Sequence, residues 1–115
     1  MGKEIDLMVN YPKAKRNLEQ RAAEKTDGER SIARQFGKDF FDGDRRYGYG
    51  GYSYHSRFWE PVIPTFKEFY NLTAESRILD VGCGKGFMLY DFAQLIPEIM
   101  VAGIDISEYA IANAK

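Results

Sequence analysis

The spacing of apolar and polar residues divides the chain into three parts. In the first part, good helix formers dominate residues 13–25, but their apolar stripe is thin, which predicts a helix lying on a surface. Asp27-Gly28 is expected to end this helix, because Gly is a poor helix former. A shorter helix is predicted over residues 31–41, with an interruption near Gly37.

The second part, residues 45–59, reads as a loop in which aromatic residues alternate with glycines. The six aromatic residues are Tyr47, Tyr49, Tyr52, Tyr54, Phe58 and Trp59. Three interpretations are open: a lid whose rings close over a flat or cationic ligand, ordinary packing aromatics, or a disordered or RNA-stacking tract. The lid is favoured, because a helix over residues 60–72 tethers the segment to the strand that follows.

The third part has the pattern of a βαβ unit. Residues 78–81 predict a buried strand, 82–86 a glycine-rich turn, 87–94 a helix, and 99–106 a second strand. Ser107 then predicts a helix N-cap, with a helix starting at 108 and running to the last residue. Strands joined by such a crossover are parallel, so the predicted fold class is α/β.

The glycine turn and Asp105 point to a nucleotide-cofactor pocket. Glycines between a strand and a helix let ligand atoms approach the backbone N–H groups, and the helix N-terminus adds a partial positive charge. Asp105 ends the second strand about 20 residues later, where a carboxylate can accept hydrogen bonds from ribose hydroxyls.

The glycine spacing bears on which nucleotide is bound. The dinucleotide fingerprint places its third glycine where this chain has Phe87, whereas the glycines here are residues 82, 84 and 86. A nicotinamide-dependent oxidoreductase is therefore the weaker alternative.

At these residues the sequence resembles the class I S-adenosylmethionine-dependent methyltransferases. Residues 79–87, Leu-Asp-Val-Gly-Cys-Gly-Lys-Gly-Phe, look like that family's first motif, and residues 101–107 look like the strand that follows it. The resemblance covers residues 77–115 and implies a Rossmann-like methyltransferase fold with S-adenosylmethionine as cofactor. Family members often carry an N-terminal helical extension that caps the cofactor and the acceptor.

The resemblance also implies roles for single residues. Gly82, Gly84 and Gly86 would approach the methionine moiety, Asp80 would help to fix the loop and the amino end of the cofactor, and Asp105 would hold the ribose hydroxyls. Four further residues are assigned to the cofactor site, two within these motifs and two in the aromatic segment: Cys83, Ile106, Tyr47 and Tyr49.

No catalytic residue is assigned. Cys83 is interpreted as a small filler between glycines, because neither a base nor a second Cys accompanies it. His55 is the single histidine and has no identifiable partner, and Lys85 is expected to point into solvent. Methyl transfer depends mainly on alignment and needs a base only for a weakly nucleophilic acceptor.

Composition narrows the class of protein and of substrate. The formal net charge of −1 argues against nucleic acid as a partner, and one Cys argues against a disulfide-stapled secreted module. Without a signal-like segment, long apolar run or metal-ligand cluster, we expect a cytoplasmic protein with no membrane span and no metal. A small-molecule methyl acceptor is expected, because no basic patch is evident.

The resemblance implies a larger sheet than this chain can form. Residues 1–76 are interpreted as an N-terminal extension and residues 77–115 as the start of the cofactor-binding domain, with room for one βαβ unit. We therefore expect the N-terminal portion of a methyltransferase, whose last helix is interrupted at Lys115. The alternative is a non-catalytic cofactor-binding or partner-binding protein that another subunit completes.

Overall fold

A computed structural model describes residues 2–14 and 18–115. The helices and strands, in chain order, are α1 (Leu18–Glu24), α2 (Asp27–Ala33), α3 (Lys38–Asp42), α4 (Ser56–Trp59), α5 (Ile63–Tyr70), β1 (Arg77–Val81), α6 (Phe87–Leu95), β2 (Met100–Ile104) and α7 (Glu108–Ala112). No helix in these two ranges has both the length and the apolar content needed to cross a bilayer.

Residues 18–42 form three short helices, α1 to α3. The helix predicted over residues 13–25 is observed as α1, with part of the predicted range outside the described residues. α1 ends at Glu24, before Asp27-Gly28, as expected, but the next helix, α2, begins at Asp27, four residues before the predicted start at residue 31. Thr26 caps α2 by accepting a hydrogen bond from the Glu29 N–H, and the Glu29 side chain accepts one from the Thr26 N–H. The interruption near Gly37 is confirmed, since α2 ends before it and α3 starts after it.

Residues 45–59 are more structured than the predicted loop. A 3-10 turn over Arg45–Tyr47 opens the segment, and α4 closes it. His55 caps α4, its Nδ1 accepting the Arg57 N–H at 3.1 Å. The helix predicted over residues 60–72 is shorter, because α5 ends where Asn71 adopts the left-handed conformation, φ 53°.

The βαβ unit is present and its strands are parallel. β1 pairs with β2 in the register Arg77 to Met100 through Val81 to Ile104. One face of this two-stranded sheet packs against α5 and α6 around a core of Ile63, Phe92, Ile96 and Ile99. The α/β class is therefore confirmed, as a small parallel sheet covered by helices on one face.

The final helix is shorter than expected. Ser107 is the N-cap, as predicted, and its hydroxyl accepts the Ala110 N–H at 3.0 Å. The prediction of a helix running to Lys115 is wrong, because α7 ends at Ala112. The Lys115 N–H instead donates to the Lys85 carbonyl at 2.9 Å, which draws the end of the chain back to the glycine turn.

Candidate functional site

The glycine turn after β1 depends on left-handed backbone conformations. Gly82, Gly84 and Gly86 have φ values of 82°, 56° and 74°, where a Cβ would introduce strain. A Cβ at Gly82 or Gly86 would meet no atom within 4 Å, so ligand atoms can approach the backbone there. At Gly84 the corresponding position lies 3.3 Å from the Tyr52 ring. The loop is therefore open at two glycines and covered at the third.

Asp105 joins the end of β2 to this turn. Its Oδ2 accepts the Gly84 N–H and its Oδ1 accepts the Ser107 N–H, both at 2.8 Å. The Ile104 carbonyl just before it accepts the N–H groups of Gly82 and Cys83 at 2.7 and 3.1 Å. The predicted ribose ligand thus holds the shape of the glycine turn, and its carboxylate retains further lone pairs for a ligand.

Asp80 and Asp105 place two carboxyl groups at the end of the sheet. Burial and the nearby charge of Asp105 raise the pKa of Asp80 above its usual value of 3.8. In the part of the chain that the structure describes, neither carboxylate is paired with a cation. A positively charged ligand would stabilise the ionised pair.

Cys83 and Ile106, also assigned to the cofactor site, differ in exposure. Cys83 is buried, and burial raises the pKa of its thiol, which disfavours the reactive thiolate. Ile106 is 82% exposed next to Asp105, so a ligand bound at that carboxylate can contact it.

The expectation that Lys85 points into solvent is wrong. Lys85 is only 8% exposed, and its Nζ donates to Asp42 Oδ2 and to the Tyr52 carbonyl, both at 2.7 Å. Asp42 also accepts the Tyr109 hydroxyl at 2.5 Å and the Tyr52 N–H at 3.0 Å. The glycine turn, the aromatic segment, α3 and α7 therefore meet at one carboxylate.

Asp42 was not identified from sequence, because it lies 43 residues from Lys85 in a helix without any motif. The hydrogen bond from Lys85 is the main reason why the pKa of Asp42 falls to about 2, and the bond from Tyr109 adds to it. Asp42 is therefore ionised at neutral pH and offsets the buried Lys85 charge.

The aromatic segment packs against the glycine turn through Tyr52. The Tyr52 ring centroid lies 4.6 Å from that of Phe87, and the Tyr49 ring stacks on Tyr52 at 4.5 Å. The Tyr52 ring thus lies between Tyr49 and the site. Tyr47 makes no hydrogen bond or ring contact with the turn among the described residues, and its ring instead lies 5.9 Å from the Arg46 guanidinium. Sequence reasoning found the segment but missed Tyr52 as its contact residue.

A buried acid lies on the side of α6 that faces the aromatic segment. The Tyr54 hydroxyl donates to Asp91 Oδ1 at 2.5 Å, which raises the pKa of Tyr54 to about 12. Burial raises the pKa of Asp91, whose Oδ2 has no hydrogen-bond partner among the described residues. Asp91 therefore anchors Tyr54, whose ring packs edge-on against Phe87, the first residue of α6, with centroids 5.8 Å apart.

A cavity of about 490 Å³ opens between the aromatic segment and the start of α6. Its walls are mostly aromatic and carry basic and small polar groups but no acid: Tyr11, Arg45, Tyr49, Gly51, Tyr52, Ser53, His55, Arg57, Phe58, Trp59 and Phe87. A volume of this size suits a small organic ligand.

Comparison with known proteins finds similarity to methyltransferases in the last part of the chain. Residues 72–115 match the family model described as a methyltransferase domain. Over 54 residues, 47% of this chain, the sequence is 35% identical to a malonyl-[acyl-carrier protein] O-methyltransferase of Bacillus cereus. The protein of that name from Bacillus anthracis is 33% identical over 54 residues.

A third relative is an uncharacterized phycocyanin operon protein W of Pseudanabaena tenuis. It is 51% identical over 39 residues, which are 34% of this chain and 37% of that protein. No solved structure matches the chain. The matched segment spans 20% of the length of each of the two malonyl-[acyl-carrier protein] O-methyltransferases. By the family match and these relatives, residues 72–115 are similar to methyltransferase domains.

Proposed function

We propose that this chain contributes the cofactor site of a Rossmann-like enzyme that transfers a methyl group from S-adenosylmethionine to a small molecule. The observation that carries the proposal is the hydrogen bond from the Gly84 N–H to Asp105. This bond connects the glycine turn to Asp105, the acidic residue that follows β2, so that the two form one site. Both features belong to the segment that matches the methyltransferase domain.

The residues present suit the chemistry of the cofactor. The open sides of Gly82 and Gly86 expose backbone. Among the described residues no side chain caps the N-terminus of α6, so its first N–H groups can donate to a carboxylate. Asp80 and Asp105 supply negative charge for an ammonium group and acceptors for ribose hydroxyls. The bound cofactor supplies the methyl group on a positively charged sulfur.

The chain's own contribution is to bind and align. Tyr52 and Phe87 wall the space beside the turn. Alignment of an acceptor with the methyl group is the main requirement of this reaction. A small molecule suits the aromatic cavity of about 490 Å³, and the net charge of −1 does not favour nucleic acid.

The test is calorimetric titration of the chain with S-adenosylmethionine. We expect binding, and we expect Asp80→Asn to weaken it by about 1.5–3 kcal/mol, a factor of ten or more, because a charge-assisted hydrogen bond is lost. Wild-type affinity should fall as the pH is lowered through the raised pKa of Asp80, because protonation removes its charge. The variant should lose this pH dependence.

Glu75→Gln is the matched control. Glu75 is an exposed acid just before the start of β1, and the glycine turn follows the other end of that strand. It should bind the cofactor as the wild type does. Failure to bind S-adenosylmethionine would contradict the proposal. Tighter binding of NAD than of S-adenosylmethionine would instead favour the oxidoreductase alternative.

A further inference from the structure

Much of the wall of the cavity beside the glycine turn is aromatic. Phe87 directly follows Gly86, and its ring packs against Tyr52 with centroids 4.6 Å apart. On the other side, Tyr11 and Trp59 pack with centroids 5.0 Å apart. Aromatic walls favour a ligand with a planar, apolar body, because rings gain most from stacked or edge-to-face contacts.

The charged side chains that line the cavity are basic. Arg45 and Arg57 line it, and no Asp or Glu does in residues 2–14 and 18–115. Arg45 is engaged with the chain, donating from Nη1 to the Gly48 carbonyl at 2.6 Å and the Tyr49 carbonyl at 3.3 Å. Arg57 is exposed, with its guanidinium 4.4 Å from the Phe58 ring centroid, and it has no carboxylate partner among the described residues.

We propose that this cavity binds the methyl acceptor, and that the acceptor is a small aromatic molecule carrying a carboxylate. The inference rests on the proposed function and names the substrate class of the same site. The planar guanidinium fork of Arg57 matches a carboxylate in a bidentate arrangement. Arg45 already donates to two backbone carbonyls, so the Arg57 guanidinium is the group best placed to pair with an anion. One guanidinium suits one negative charge better than the double charge of a phosphate.

The chain offers a direct reporter for this cavity. Trp59 is its single tryptophan and lies in the cavity wall, so a change in tryptophan fluorescence reports on this site. The probe is phenylacetate, which combines a benzene ring with a carboxylate. Phenylacetamide is its neutral isostere, and phenyl phosphate carries the other common anion.

We expect phenylacetate to change the Trp59 fluorescence saturably. Phenylacetamide and phenyl phosphate should bind several-fold more weakly. Arg57→Gln should weaken phenylacetate binding about fivefold or more and bring its affinity close to that of the amide, because the charge-assisted hydrogen bonds are lost. Arg34→Gln, the same change at an exposed residue just after α2 and outside the cavity, should leave the affinity unchanged.

Equal affinities for the acid and the amide, preference for phenyl phosphate, or no saturable change would overturn the proposal. So would an equal effect of Arg57→Gln and Arg34→Gln. The cofactor titration separates this outcome from failure of the proposed function. If S-adenosylmethionine binds and phenylacetate does not, the substrate class alone is wrong. If S-adenosylmethionine does not bind, the proposed function fails whatever the probe does.

Discussion

Lys85 places a charged ammonium group at an almost fully buried position beside the glycine turn. Burying an ammonium group is costly unless an opposite charge and hydrogen bonds compensate it. Asp42 and the Tyr52 carbonyl provide both, and Asp42 is itself bonded to Tyr109. Hydrogen bonds thereby connect α3, which contains Asp42, and α7, which contains Tyr109, to the candidate cofactor loop.

Removing the charge of Asp42 should destabilise the protein. The pKa of Asp42 falls from 3.8 to about 2 on folding, so its contribution is present above about pH 4 and is lost as the pH falls towards 2. We expect Asp42→Asn to lower the free energy of unfolding at pH 7 by about 1–2 kcal/mol, a range reduced for the partial exposure of the carboxylate. Urea denaturation at pH 7 and at pH 2–4 measures both effects.

Asp39→Asn, at an exposed acid in the same helix, is the control and should change stability little. The interpretation would be wrong if Asp42→Asn left the unfolding midpoint at pH 7 unchanged. It would also be wrong if the variant lost as much stability as the wild type between pH 4 and pH 2.

At the scale of elements, α6 lies very close to β2. A Cβ at Gly103 would lie 2.7 Å from both the Cys83 Sγ and a Leu89 methyl carbon, well inside normal contact. Gly103 therefore permits the close approach of helix and strand that brings Asp105, two residues later, to the glycine turn. The absence of a side chain at Gly103 therefore affects the position of Asp105 in the candidate site.

Gly103→Ala should force α6 away from β2. We expect a loss of about 1–3 kcal/mol in the free energy of unfolding, the usual cost of overpacking a tight interface. Ala102→Ser, on the exposed face of the same strand, should change it by less than about 0.5 kcal/mol. Denaturant unfolding compares the two, and equal stability of Gly103→Ala and wild type would show that the interface has room for a methyl group.

At the scale of the whole molecule, the sheet is covered on one face and open on the other. Leu79 and Val81 of β1 are 62% and 72% exposed, and Met100 and Ile104 of β2 are 61% and 55% exposed. Contiguous apolar surface of this kind favours association, as does an unpaired strand edge.

The 115-residue chain should therefore self-associate as its concentration rises. Replacing both Leu79 and Val81 with Thr should shift the sedimentation coefficient towards the monomer value, because Thr keeps a β-branched shape and makes the face more polar. Leu18→Thr, at a residue of α1 that is 68% exposed, removes a leucine elsewhere and should have no such effect. A wild-type chain that sediments as a monomer at every concentration would contradict this prediction.

Sequence alone determined the elements whose signals are local. The strands, the glycine turn, α6 and the Ser107 cap follow from residue spacing, positive-φ glycines and a side chain that caps its own helix, all read within a few residues. Contacts between distant elements were decided only by the tertiary structure. Lys85 turns inward because it meets Asp42, 43 residues away. Tyr52 is held at the turn because its N–H donates to Asp42 and its carbonyl accepts from Lys85. Such pairings depend on how elements pack, and local sequence carries no signal for them.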